Sequence, residues 1–179
     1  MKRHGRRTDF YVCSRNVCFD KPEKLDKCYY DTNIYLEMAE KYHIENVLTE
    51  ILKREKDLDF VTIQGETFGD GIQQRNYGLT NGEHDFRAFN LIFGYKDKQE
   101  RKNSQYAKMY LAQYEIPFVP ILDIAYTIPE TCDQLLEYAG SESSKIDGGM
   151  REGIVLRDKD GNRSFKAVNN NFLIKFHNG

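Results

Sequence analysis

The chain has 179 residues, of which 40% are apolar and 30% charged, and a net charge of −2. That describes one domain of ordinary size with a proper core; it excludes a disordered chain and, with no apolar run of about 18 residues, a membrane-spanning helix. The N-terminus is basic with no apolar stretch behind it, so it does not read as a secretory signal, and the near-zero charge means that nucleic-acid contact has to come from a local patch.

In chain order, Lys2, Arg3, Arg6 and Arg7 form the densest basic patch. It reads first as a solvated turn and second as a phosphate contact. Phe10 to Ser14 has the aromatic and β-branched character of a short strand that delivers Arg15 at its end. Cys13, Cys18, Cys28 and Cys132 form no C-x-x-C pair and no Cys/His cluster, so they read as reduced thiols of a cytoplasmic protein rather than zinc ligands. Asp31, Thr32 or Asn33 can cap a helix running to about Arg54, along which Ile34, Met38, Tyr42, Val47, Ile51 and Leu52 recur near helical spacing. Phe60 to Gln64 reads as a strand with Glu66 at its end, and Gly65 to Gly82 as a glycine-rich loop.

Phe86 to Tyr95 is a long apolar strand, and Gln105 to Tyr114 a helix. Pro117 and Pro120 bracket a strand reaching Ile124, Glu130 to Tyr138 is a short helix, and Gly140 to Met150 a polar surface loop. A hairpin follows: Arg151-Glu152-Gly153 leads into a strand ending at Arg157, and Ser164 to Val168 returns. Strands outnumber helices without a βαβ rhythm. This predicts an α+β fold of antiparallel sheets flanked by helices, in a single domain over residues 1–179.

Several of these elements carry residues with chemistry. Glu152 and Lys166 on adjacent strands can hold a divalent metal and a phosphate side by side: carboxylate and water suit Mg²⁺ or Mn²⁺, and lysine acts on phosphate as a point charge. The loop Gly65-Glu66-Thr67-Phe68-Gly69-Asp70-Gly71-Ile72-Gln73 lacks the G-K-[ST] ending of a Walker A loop, but Glu66 could accept bonds from both ribose hydroxyls. Phe86, Phe89 and Phe93 read as core, with a base-stacking role as the alternative. Each feature alone is commonplace.

Their order is not. Strand–Arg, G-E-x-x-G, D-F-x-x-F, E-G-x-V-x-R and F-K follow one another from about Tyr11 to Phe176, and the series resembles the nucleotidyltransferase (ATP-grasp-like) domain of ATP-dependent RNA ligases of the RNA ligase 2-like family. The resemblance implies an enzyme that joins an RNA 3′-hydroxyl to a 5′-phosphate, at free ends or in a nicked duplex, using ATP and Mg²⁺ or Mn²⁺. It also implies roles: Arg15 on nucleotide and substrate, Glu66 on ribose with Gln73 beside it, Phe89 stacked on adenine, Glu152 as the metal-linked carboxylate, Arg157 as a basic residue closing that strand, and Lys166 on the α-phosphate. Two positions depart from the pattern. Val168 stands where a second lysine is common, with Lys175 as substitute or true match, and Asn90 stands where an aspartate is expected. DNA-ligase and mRNA-capping enzymes share the motif logic, and an inactive nucleotide-binding remnant is a further alternative.

Such enzymes work through a lysyl–AMP formed at K-x-[DH]-G. Lys2-Arg3-His4-Gly5 and Lys145-Ile146-Asp147-Gly148 both fit by letter. Too few residues separate Lys2 from Arg15 for two strands and a turn, and Lys145 falls late in the chain in a polar loop. The expectation is therefore a fold that begins at a hairpin turn with its first strand absent. It would lack the nucleophile and leave an open sheet edge prone to self-association.

Overall fold

The computed structural model describes residues 1–5, 7–19, 32–72, 75–161 and 163–177. Five antiparallel strands, β1 (Lys2–His4), β2 (Arg7–Asp9), β3 (Phe60–Gly69), β4 (His84–Gly94) and β5 (Gln99–Arg101), make one sheet in the order β2-β1-β3-β4-β5. A second sheet is the hairpin of β6 (Gly153–Arg157) and β7 (Ser164–Val168). The helices are α1 (Ile34–Lys41), α2 (Ile44–Arg54), α3 (Ser104–Ala112), α4 (Cys132–Gly140) and α5 (Asn170–His177). The expected α+β architecture of antiparallel sheets with flanking helices is what forms. Among the described residues no helix is long and apolar enough to cross a membrane.

Helices α2 and α3 cover one face of the large sheet. Leu48, Ile51 and Leu52 from α2, and Ala107 and Leu111 from α3, pack with Val61, Ala88, Leu91 and Phe93 of β3 and β4. Ile51 and Val61 are fully buried, and burial of such a side chain contributes roughly 1.5–3 kcal/mol.

One irregularity shapes the other face of this sheet. Gln64 pairs with Asn90 and Gly65 with Ala88, so Phe89 on β4 has no partner on β3. Strict alternation could not place Phe86, Ala88, Leu91 and Phe93 all on the core side, yet all four contribute there. The extra residue resets the phase and leaves Phe89 beside Asn90 on the outer face. Gly65 belongs to the same irregularity, because a Cβ there would fall inside the Phe86 ring and against the Arg87 carbonyl oxygen.

Several boundaries differ from the sequence reading. β3 runs on to Gly69, so Glu66 stands within the strand, opposite Arg87, rather than at its end. The long first helix is two helices, because His43 takes a left-handed φ of 49° and Tyr42 is tied to β4 by its O–H to Asp85. Phe10 to Ser14 is no strand; only the bridge Cys13↔Cys18 forms there. Likewise 117–124 gives a single parallel bridge, Phe118 to Ala88, where Pro117 and Pro120 cannot donate to a ladder. β5 and α5 were not anticipated.

The N-terminus needs the largest correction. Its first strand is present as β1, which pairs with β2 across a turn at Gly5 (Lys2↔Asp9, His4↔Arg7) and with β3 at Lys2↔Phe60. Two paired strands of three residues thus fit between Lys2 and Asp9, well within the interval to Arg15. β1 covers only the start of β3, and among the described residues no other strand borders β3 on that side.

Candidate functional site

The β6–β7 hairpin is held from behind. Ile154 and Ala167 pack on Ala139 of α4, with Leu135, Tyr138 and Leu156 at the margin. Arg151 is buried and satisfies the C-terminus of α4, its Nε donating to the Ala139 carbonyl at 2.9 Å and its guanidinium also to that of Tyr138. The backbone of the next residue is fixed as well, since Asn169 N–H donates to the Glu152 carbonyl at 2.8 Å. A Cβ at Gly153 would collide with the Ala167 carbonyl, which is why glycine follows the carboxylate. Glu152 therefore leaves a rigid strand start in a set direction.

With Ile154 and Leu156 turned toward α4, Val155, Arg157 and Lys166 share the opposite side of the hairpin, Val155 directly across from Lys166. Lys166 Nζ donates to Glu152 Oε1, and both side chains remain partly exposed. Tyr77 O–H donates to the other carboxylate oxygen, Oε2, at 3.4 Å. Burial first, then the charge of Glu152, pushes the Tyr77 phenol up to about 12, and Glu66 acts on it in the same sense. The Tyr77 ring lies edge-on to Phe68, centroids 5.3 Å apart, and under the Arg75 guanidinium at 4.4 Å.

Arg75 ties this cluster to the 144–150 loop. It donates to both carboxylate oxygens of Asp147, each at 2.6 Å, and to the Met150 carbonyl. Burial opposes the Asp147 charge, but bonds from Arg75, Ser144 and the Gly149 N–H outweigh it and hold the carboxyl below the usual aspartate range.

At the far end of the hairpin, Arg157 donates to Asn90 Oδ1 and lies 6.0 Å from the Phe89 ring centroid. Asn90 in turn donates to Gln64 Oε1 at 2.7 Å. Arg101 on β5 donates to the Gly161 carbonyl in the β6–β7 turn at 3.0 Å. The hairpin thus lies over the outer face of β3, β4 and β5. Burial, then Arg101, disfavours the Arg157 charge, and among the described residues it has no carboxylate partner, so a bound anion would relieve it.

Of the residues singled out from sequence, Glu152 pairs with Lys166 and Arg157 lies by Phe89 between hairpin and sheet, while Glu66 is exposed on the outer face of β3, its charge acting on Tyr77. Lys175 is on α5, in an adjoining open cleft of about 460 Å³ whose lining includes Asp70, Arg75, Tyr77 and Asp147. Arg15 stands exposed on the Ser14–Val17 turn and adds no contact to the cluster. Gln73 lies outside the described residues. Lys2, paired with Phe60, projects from the same outer face as Gln64 and Glu66, while its neighbours Met1 and Arg3 turn toward α2. Lys145 is exposed and paired with Glu142 at 3.4 Å.

Sequence reasoning missed Tyr77 and Arg75, which sit in a loop with no periodicity. The arrangement can hold a flat ring against Phe89, an anion between Arg157 and Lys166, and a hard divalent cation on Glu152. Arg87 Nε, buried and without a hydrogen-bond partner among the described residues, stands opposite Glu66 and adds an unused donor. Among those residues no group of three or more His, Cys, Asp or Glu could hold a metal, so a cation on Glu152 would keep mostly water and phosphate oxygens, as Mg²⁺ tolerates.

A family model described as RNA ligase matches residues 2–175. Among solved structures, the RNA ligase of Naegleria gruberi is similar. Its variant with AMP and Mn is 26% identical with a TM-score of 0.66, another with ATP and Mn is 25% identical at 0.67, and the form with PPi is 26% identical at 0.67. Each match covers 85% of this chain and 43% of that enzyme, so the chain spans well under half the length of its solved neighbour. No match is found among curated proteins.

Proposed function

Since the chain belongs to the RNA ligase family, we propose that it is the adenylate-transferring domain of an ATP-dependent RNA ligase. It joins an RNA 3′-hydroxyl to a 5′-phosphate, at free ends or a nick, in cytoplasmic RNA repair. The observation that carries this reading is the Glu152–Lys166 pair and the Arg157–Phe89 contact on one face of one hairpin, over the strand that bears Glu66. Adenine stacks on Phe89, the ribose hydroxyls bond to Glu66, and Lys166 with Arg157 meets the phosphates. Lys175 is a second cation from the adjoining cleft. Glu152 holds Mg²⁺ or Mn²⁺, which when bound supplies positive charge to the phosphate oxygens.

Lys2 is the nucleophile in this reading. Its Nζ, deprotonated, attacks the α-phosphorus as the bond to pyrophosphate breaks, leaving a phosphoramidate. The AMP then passes to an RNA 5′-phosphate, freeing Lys2, and a 3′-hydroxyl displaces AMP. Spacing supports the assignment. Solved variants of the Naegleria enzyme carry substitutions at a lysine and an aspartate two positions apart, as Lys2 and His4 are, and at a glutamate and a lysine 14 apart, as Glu152 and Lys166 are. Among the described residues β3 is unpaired on the β1 side beyond its start, and such an edge would favour self-association as a secondary property.

The test is incubation of the chain with α-labelled ATP and Mn²⁺, then denaturing electrophoresis. Label should stay on the protein, vanish in Lys2→Ala and persist in Lys145→Ala; a chain that never takes label, or one labelled equally without Lys2, overturns the reading. Chasing the adduct with 5′-phosphorylated RNA and, separately, DNA tells which polynucleotide accepts AMP; RNA is expected.

A further inference from the structure

Cys13 and Cys18 face each other across the turn that carries Arg15, as an isolated antiparallel bridge. The flanking bonds run from Ser14 N–H to the Val17 carbonyl at 2.8 Å and from Phe19 N–H to the Val12 carbonyl at 2.9 Å. The two cysteines therefore occupy the register position whose members exchange no hydrogen bond with each other. In that position the Cα atoms approach to about 4.5 Å and the side chains leave the same face, inside the roughly 4.4–6.8 Å window that a disulfide needs. The turn between them is already ordered, because Ser14 Oγ accepts the N–H of Val17 at 3.1 Å and of Asn16 at 3.4 Å. Closing a bond there requires no change of register. Both residues are thiols in this structure, Cys13 exposed and Cys18 half-buried.

We propose that Cys13 and Cys18 are a reversible oxidation site, closed to an intramolecular disulfide by a peroxide and reopened by a dithiol. In the oxidation both Sγ–H bonds break and one Sγ–Sγ bond forms. Two electrons pass to the peroxide, its O–O bond breaks, and the two thiol protons leave with the oxygens as water. The product staples the turn at whose tip Arg15 stands. The site rests on backbone register alone and is independent of the ligase reading.

The experiment treats the unsubstituted protein with one equivalent of hydrogen peroxide, alkylates the remaining thiols and maps tryptic peptides without reduction. Trypsin cuts after Arg15, so the expected product is the fragments on either side of it joined through Cys13 and Cys18. It should be lighter by two hydrogens than the sum of its parts, with Cys28 and Cys132 alkylated, and dithiothreitol should restore both thiols. A Cys28→Ser/Cys132→Ser variant, holding only the pair, should lose both of its titratable thiols and stay monomeric on a non-reducing gel. Linkage of either residue to Cys28, to Cys132 or to a second molecule overturns the proposal. So does alkylation of both after excess oxidant, or recovery of sulfonic acids alone.

Discussion

Replacing Arg75 by alanine strips several supports at once: two bonds to Asp147, one to the Met150 carbonyl and the cation over the Tyr77 ring. The Arg75 and Asp147 side chains are only 10% and 15% exposed, so the ion pair itself is shielded although it sits in a loop that is open to solvent at Asp147. Removing one partner of a fully buried pair costs about 3–5 kcal/mol, whereas exposed pairs contribute under about 1. At this burial the expected loss is about 2–3 kcal/mol. For a chain of this size each kcal/mol lowers Tm by about 2–4 °C, which gives a drop of roughly 5–10 °C in a thermal melt followed by circular dichroism. Most of the cost is a carboxylate left with only its bonds from Ser144 and the Gly149 N–H, so Arg75→Ala/Asp147→Ala should recover part of the loss. A single variant that melts within about 1 °C of the parent would refute the view that this pair binds the 144–150 loop to the β3–β4 loop.

Gly65→Ala forces a methyl into the Phe86 ring and the Arg87 carbonyl; overpacking of this kind costs about 1–3 kcal/mol, and a urea midpoint equal to the parent's would contradict it. Tyr77→Phe removes the hydroxyl that steadies Glu152. The Mn²⁺ needed for half-maximal adenylylation should rise by about tenfold, the low end for outer-sphere partners, with little change in melting; an unchanged Mn²⁺ requirement shows that Tyr77 does not position Glu152. Because the folded-state pKa of Asp147 is depressed, its contribution is complete above the ordinary aspartate value of about 3.9 and fades as pH falls through the lower folded value. Urea titrations from pH 7 down to 3 should show the parent losing more stability than Arg75→Ala over the acid end, and parallel losses would count against this linkage.

Much of the fold and part of the site were legible. The β6–β7 hairpin announced itself by alternation and by a carboxylate and a lysine placed to meet across it, and β4 by an apolar run that only a covered strand carries. What escaped depends on contacts remote in sequence. Nothing local marks His43 as the break between α1 and α2; Tyr42 is held there by a residue of β4. Tyr77 and Arg75 owe their roles to Glu152 and Asp147, more than 70 positions away. The strand at Lys2 escaped because a basic run of single letters reads as a frayed turn, while the pairing that makes it a strand is supplied by Phe60 and Asp9.

The two-against-one stretch where Phe89 sits has a consequence for how such a pocket can be lost. A chain one codon shorter at that point would pair β3 and β4 without interruption, with Phe86, Ala88, Leu91 and Phe93 still facing inward by plain alternation. It would fold at least as regularly while presenting bare strand where the aromatic wall had been. Scaffold and outer surface are therefore separable by a single deletion, and a descendant could lose the aromatic wall without disturbing its interior.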